Sequence, residues 1–265
     1  MAFLTKVIPF VSPLLQSKLW YDGLSVPSSS DKKNSDLESK LKQKFTPFFN
    51  QHGVRGDVAF RAIPNPTLCA ARGTNCFTGL QAGIIVTPEL HEADSEALSW
   101  TIKHEVAHIK GNDLFTMPLV AVIAALATAI LLPTLIGYGL LASIGTYLVA
   151  NLVSLVALSV FSRWREGVAD DFANEHATVK ELKGGVRLLQ AVKELQTGFD
   201  FLHPSVASRI EKIEKELKKR GEAVQENAEH TALVSRLKEA IVGPQKTLAP
   251  GNTDAEPQPQ PACAC

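Results

Sequence analysis

The chain is short of cysteine, has no excess of either charge, and contains a long stretch with no charged residue at all. Its four Cys are Cys69 and Cys76, close together, and Cys263 and Cys265 at the end. That is no disulfide framework, and it suits a reducing compartment. Lys and Arg total 27, as do Asp and Glu, so no net field draws the chain to nucleic acid. Residues 1–20 are apolar but interrupted by Lys6, Pro9, Pro13 and Lys18. A core so broken, with no small-residue cleavage site after it, is not what a secretory signal is expected to show. Such a segment packs onto the rest of the chain or lies on a membrane surface. The C-terminal Cys263-Ala264-Cys265 is not a C-a-a-X box, because Ala262 stands fourth from the end.

Charge is missing altogether from residues 114–162. A soluble helix of that length would carry a polar stripe. A membrane-spanning helix needs about 20 apolar residues, so the run has room for two spans, read as 114–133 and 140–161. Pro133 and the Gly137-Tyr138-Gly139 cluster supply the break between them. Small residues recur in both halves (Ala121, Ala124, Ala125 and Ala129, then Gly139, Ala142, Gly145 and Ala150), as close packing of two such helices requires.

His104-Glu105-Val106-Ala107-His108 stands just before this run. Residues i and i+4 project from one face of a helix. Two imidazoles there can grip one Zn²⁺, with Glu105 beside the position where water binds. Trp100, Ile102, Val106, Ala107 and Ile109 make the segment apolar around these polar groups, which therefore need partners. A site of this kind takes a third protein ligand from elsewhere. Glu166, just after the uncharged run, is the candidate, and Asp170 one turn on can accept a hydrogen bond from a zinc-bound imidazole. The two motifs can meet at one ion only if the run between them crosses the bilayer an even number of times. Lys103, Lys110, Arg163 and Arg165 flank it and place both ends in the cytosol by the positive-inside tendency.

H-E-x-x-H, a hydrophobic stretch, and then E-x-x-A-D at Glu166 and Asp170 resemble the HtpX-type membrane zinc metallopeptidases, relatives of the CaaX prenyl proteases. The resemblance covers about residues 57–215. It implies His104, His108 and Glu166 as zinc ligands, Glu105 as general base and Asp170 as the supporting carboxylate. Gly83-Ile84-Ile85-Val86-Thr87-Pro88 resembles the strand and helix start before the family's zinc helix, and His203-Pro204-Ser205 with Arg209-Ile210 resembles a downstream element. His203 is placed by it as a candidate donor to the oxyanion. The chain departs from the family in showing no pair of N-terminal spans. The fold implied is α+β and mainly helical, a gluzincin-like zinc peptidase domain with a small sheet, interrupted by a two-helix transmembrane hairpin.

The remaining organisation follows from pattern. Residues 1–35 form an N-terminal segment ending in a polar linker at 28–35, and 36–113 the first part of the peptidase domain. Residues 114–162 are the hairpin, 163–242 the helical second part, and 243–265, rich in Pro, Gly, Gln and Asn, a disordered tail. A helix is predicted from Asp36, as cap, to about Gln51, strands at 57–63, 68–71 and 81–86, and helices at 163–178, 184–197, 205–220 and 223–242. Asn75-Cys76-Phe77-Thr78-Gly79 is the candidate edge, or the turn beside it, for holding a substrate backbone. The function expected is a membrane-anchored zinc metalloendopeptidase carrying one Zn²⁺ and facing the cytosol. It would act on misfolded or membrane-associated polypeptides, with the lipid bilayer and no nucleic acid as its other partner. The alternatives are a catalytically inactive peptidase-like membrane adaptor and a soluble helical binding protein.

Overall fold

Leu37, Leu41, Phe45 and Phe49 recur every fourth residue and are all buried; that stripe makes one helix, α1 (Lys32–Gln51). The structure is a computed structural model that describes residues 32–54, 58–62, 69–72, 82–136, 139–195, 203–225 and 228–242. Within it the stripe of α1 lies on a three-stranded sheet. Strands β1 (Ala59–Ala62), β2 (Cys69–Arg72) and β3 (Gly83–Val86) run in the order β1-β3-β2, with β1 parallel and β2 antiparallel to the central β3. The Phe60 ring packs against Phe45 and Phe49, with centroids 6.2 and 5.9 Å away.

After β3, Pro88 opens the short helix α2 (Pro88–Ala93), where its missing N–H costs nothing. The central helix α3 (Ser95–Gly111) follows at once. Asp94 caps it, one carboxylate oxygen accepting the N–H groups of Glu96 and Ala97 at 3.1 and 3.0 Å. The other oxygen accepts Arg187 Nε at 2.7 Å. Leu98, Trp100, Ile102, Val106 and Ile109 are all at most 1 % exposed, so α3 is apolar on nearly every side and runs through the middle of the domain. Asn112 ends it in the left-handed region, at φ 56°. An Asn tolerates that conformation, and the chain turns there into the next helix.

The uncharged run forms α4 (Asp113–Ile136) and α5 (Leu140–His176), packed against each other. Ala121, Thr146, Ala150 and Ser154 are buried, in keeping with the small-residue seam. The outer faces are bare: Ile123, Leu126, Ile130, Leu148, Leu152, Leu155 and Val160 are each more than half exposed. Thr128, Thr146, Asn151 and Ser154 donate to carbonyls four residues back on their own helix at 2.7–2.8 Å, which lets polar side chains sit in so apolar a stretch.

Helices α6 (Val179–Leu195), α7 (Val206–Lys219) and α8 (Ala228–Val242) complete the fold. Trp100, Leu182, Val186, Leu189, Ile213 and Leu217 form a second core beside the one that joins α1, the sheet and α3.

Several expectations change. Pro133 does not break the hairpin: α4 continues to Ile136. A proline late in a helix removes one donor, and the residues after it still bond to the turn before. Instead of two helices at 140–161 and 163–178 there is a single rod of 37 residues, about 55 Å long. Among the described residues one helix, Ala142–His176, is long and apolar enough to cross a membrane, and the apolar stretch of α4 is shorter, at Leu119–Leu132. Residues 32–35 are helical rather than linker, and Asp36 lies inside α1 rather than at its cap. The segment 1–31, Asn75 to Gly79, and the tail 243–265 lie outside the described residues.

Gly184 and Gly185 bring α6 directly onto α3. A Cβ on Gly184 would sit 2.5 Å from the backbone nitrogen of Ala97, and one on Gly185 2.8 Å from the Trp100 ring. Gly to Ala inside a helix ordinarily stabilises by about 1 kcal/mol. Here Gly184→Ala is expected to reverse that sign and cost about 1–3 kcal/mol by overpacking against rigid backbone, read as a lowered Tm of the purified protein.

Candidate metal centre

The i, i+4 spacing on α3 puts the rings of His104 and His108 on one face, 4.8 Å apart between centroids. Their Nε2 atoms are 3.1 Å apart. Glu166, on the part of α5 that turns a buried face to the domain, completes a triangle. Its Oε2 lies 3.3 Å from His104 Nε2, and its Oε1 lies 3.4 Å from His108 Nε2. Two donors bound at 2.0–2.1 Å to a tetrahedral zinc lie about 3.3 Å apart, so each imidazole stands at a ligand-to-ligand distance from the other and from one of the two Glu166 oxygens. Three lone-pair donors converging on one point need a cation or a proton between them. Among the described residues this is the group of His, Cys, Asp and Glu side chains fitted to hold a metal ion. His104 and Glu166 are buried, and His108 is partly open, so the cluster is reached from the His108 side.

The other predicted residues fall as follows. Glu105 is half-buried on α3, next to His104 in the chain. Asp170 Oδ1 lies 3.0 Å from His104 Nδ1, close in distance though not aligned as a hydrogen bond. His203, just before α7, brings its Nε2 to 3.7 Å from Glu166 Oε1. Residues from three separate stretches of sequence thus meet at one place.

Electrostatics binds the cluster together. Burial alone would lower the pKa of His104, but the carboxylates of Asp170 and Glu166 outweigh it and push it up to about 10. Burial favours protonated Glu166, yet His104, His108 and His203 hold its carboxyl down to about 2. Asp170 resists its own burial too and stays well below the usual carboxylate range, held by His104 and Arg209.

The family model of peptidase family M48 matches residues 51–217. The chain belongs to peptidase family M48. The match spans both metal motifs, all three strands of the sheet and most of α7, and it bears out the resemblance read from the sequence. No curated protein and no solved structure matches the chain. Membership makes it a metallopeptidase, and the chemistry of its two imidazoles and one carboxylate fits a zinc ion.

Three residues at the site were given no part in it by the sequence. Arg209 reaches back from α7 and grips both oxygens of Asp170, each at 2.8 Å, a bidentate pair with fixed geometry. Asp113, the first residue of α4, accepts or shares a proton with His108 Nδ1 at 2.6 Å. Arg165 Nε donates to the other oxygen of Asp113 at 2.6 Å. Arg209 was visible only as part of the downstream element, and nothing in the sequence singled out Asp113. Two flanking cations have employment other than orientation. Lys103 is buried and donates to Glu181 at 2.6 Å and to the His176 carbonyl at 2.9 Å, and Arg165 is taken up by Asp113. Of the four, Lys110 is exposed and Arg163 half-buried, so the charge signal for topology is weaker than its count.

Because His104 in the metal-free protein holds its proton up to about pH 10, a zinc ion entering at pH 7 must displace it. Zinc uptake is therefore expected to release about one proton and to tighten roughly tenfold per pH unit from pH 6 to 8. Calorimetry in buffers of different ionisation enthalpy measures that proton; uptake with no release would show that His104 is neutral before the metal arrives.

Proposed function

We propose that the chain is a membrane-anchored zinc metalloendopeptidase whose site lies at the bilayer surface. One observation carries this reading: α5 runs without a break from an apolar, exposed segment into the cluster that fits a metal. The most apolar part of that helix is only 17 % buried, where the core helix of a soluble protein would be covered. Trp164, 58 % exposed and packed beside Phe161, stands at the end of the apolar stretch, where aromatic side chains favour the membrane interface. With α4 as the second crossing, both ends of the hairpin return to one side. Lys110 and Arg163 favour the cytosol for that side.

His104, His108 and Glu166 would hold the ion. Bound there, zinc lowers the pKa of water to about 7 and polarises a carbonyl. Glu105 takes a proton from the attacking water and passes it to the leaving amine. His203, at the rim beside Glu166, donates to the oxyanion. β2 is an edge strand lying against α3, which suits extended peptide added along its open side. Substrates are then unfolded or membrane-emerging polypeptides, and the role is protein quality control.

The test pairs zinc content with cleavage. Wild type and Glu105→Gln should each hold about one zinc, while cleavage of casein or of the chain itself should fall on the order of 10²–10⁴-fold in the variant. Equal cleavage by the two would sink the mechanism, and a wild type without zinc would favour the inactive adaptor. Carbonate-washed membranes should retain the protein; its release into the wash would remove the anchor.

A further inference from the structure

The geometry points to Asp113 and Arg165 as positioning residues that fix the His108 ring for metal binding. Through them the base of the hairpin becomes part of the metal centre. This rests on His104, His108 and Glu166 being the zinc ligands.

Each imidazole has a carboxylate at its Nδ1, and each carboxylate is held by an arginine. Behind His104 stands Asp170, held by Arg209 from α7. Behind His108 stands Asp113, held by Arg165 from α5, with both contacts at 2.6 Å. Asp113 is 4 % exposed. A buried carboxylate needs every lone pair engaged, and this one spends one oxygen on the ring and one on the guanidinium. An anionic acceptor at Nδ1 fixes the tautomer so that Nε2 carries the free lone pair, which is the atom facing His104 and Glu166.

The backbone is shaped for the contact. His108 sits in the last turn of α3, and Asn112 in the left-handed region swings Asp113 back beneath the ring. Gly111 lies in between. A Cβ there would come within 1.7 Å of the Arg165 guanidinium and 2.8 Å of Asp113 Oδ1, so glycine leaves the passage through which the arginine reaches the carboxylate. Arg165 also points toward the Ala107 carbonyl, at 3.4 Å. It immediately precedes Glu166 in the sequence. One turn of α5 therefore supplies both the third donor and the cation that steadies the second donor's support. Asp113 begins α4 and Arg165 lies on α5 just past its apolar stretch, so the same pair clasps the two helices together directly beneath the metal cluster.

The experiment uses the full chain in detergent, stripped of metal. It measures zinc affinity by competition with a chromophoric chelator and the visible spectrum of the cobalt-loaded form. Asp113→Ala should weaken zinc binding about 10–100-fold and shift the cobalt bands, the usual scale for losing an outer carboxylate. Asp113→Asn, which fills the same space without charge, should weaken it as well and keeps the test valid if the alanine variant fails to fold. Arg165→Ala should act in the same direction with a smaller loss, and Arg165→Lys should recover part of it. The control is Arg187→Ala, which breaks the ion pair at the other end of the same helix. It should lower Tm yet leave zinc affinity within about twofold, since distant sites do not couple. Zinc affinity in both Asp113 variants equal to wild type would overturn the proposal, and so would an equal loss in Arg187→Ala, which would reduce the effect to general stability. A wild type that takes up no zinc overturns the ligand assignment itself, a result distinct from tight binding that ignores Asp113.

Discussion

Two imidazoles and a carboxylate from helices far apart in sequence meet at 3.1 to 3.4 Å, and much of the surrounding structure exists to keep them there. Left alone, such donors would repel one another or collapse onto a shared proton, as the raised pKa of His104 records. Holding them open takes rigid support. α3 is capped by Asp94, wrapped in apolar contacts and pressed by α6 across two glycines. α5 is pinned by Asn174 accepting the Trp100 indole N–H at 2.9 Å, and its C-terminal carbonyls at Asn174, Glu175 and Ala177 accept the Arg220 guanidinium. Lys103 ties α3 to the end of α5 and to Glu181 on α6. Around the cluster the buried charges of Asp94, Lys103, Asp113, Asp170 and Glu181 are each paired, as burial demands.

The same constraint joins the site to the apolar hairpin. A flexible linker between the uncharged run and Glu166 would let the third donor wander. An unbroken helix does not, because every turn is hydrogen-bonded to the next. The apolar segment and the metal cluster are therefore parts of one rod, and a tilt of one is a displacement of the other. In the reading proposed above, the bilayer is part of the frame that sets the distance between α3 and α5.

What could be read from the chain alone was the local part. The helix expected from Asp36 to about Gln51 is there as α1, starting one turn earlier at Lys32. The strand expected at 81–86 is observed at Gly83–Val86, and the helix opened by Pro88 lies where the family resemblance implied it. His104 and His108 shared a face by the geometry of any helix. Pro133 misled because proline is a strong stop in isolation, and the helix around it was held by its long packing against α5. Lys103 and Arg165 misled in a different way. A lysine or arginine next to an apolar run looks like an interface charge, and only its distant partner, Glu181 or Asp113, reveals it to be internal.

The sequence by itself determined the ligand types, their spacing on α3, the presence of an uncharged run and the need for a third donor after it, because each is a property of residues within a few turns of one another. Only the tertiary structure decided which carboxylates stand behind which imidazoles, that Arg209 and Arg165 hold those carboxylates, and that the hairpin's second helix runs straight into the site. Except for Asp113 behind His108, five residues on, those are contacts between distant parts of the chain, such as Arg209 with Asp170 across 39 residues and Arg165 with Asp113 across 52. No periodicity encodes them, since charged side chains at such separations become partners only when packing of the apolar faces has set the distance between their helices.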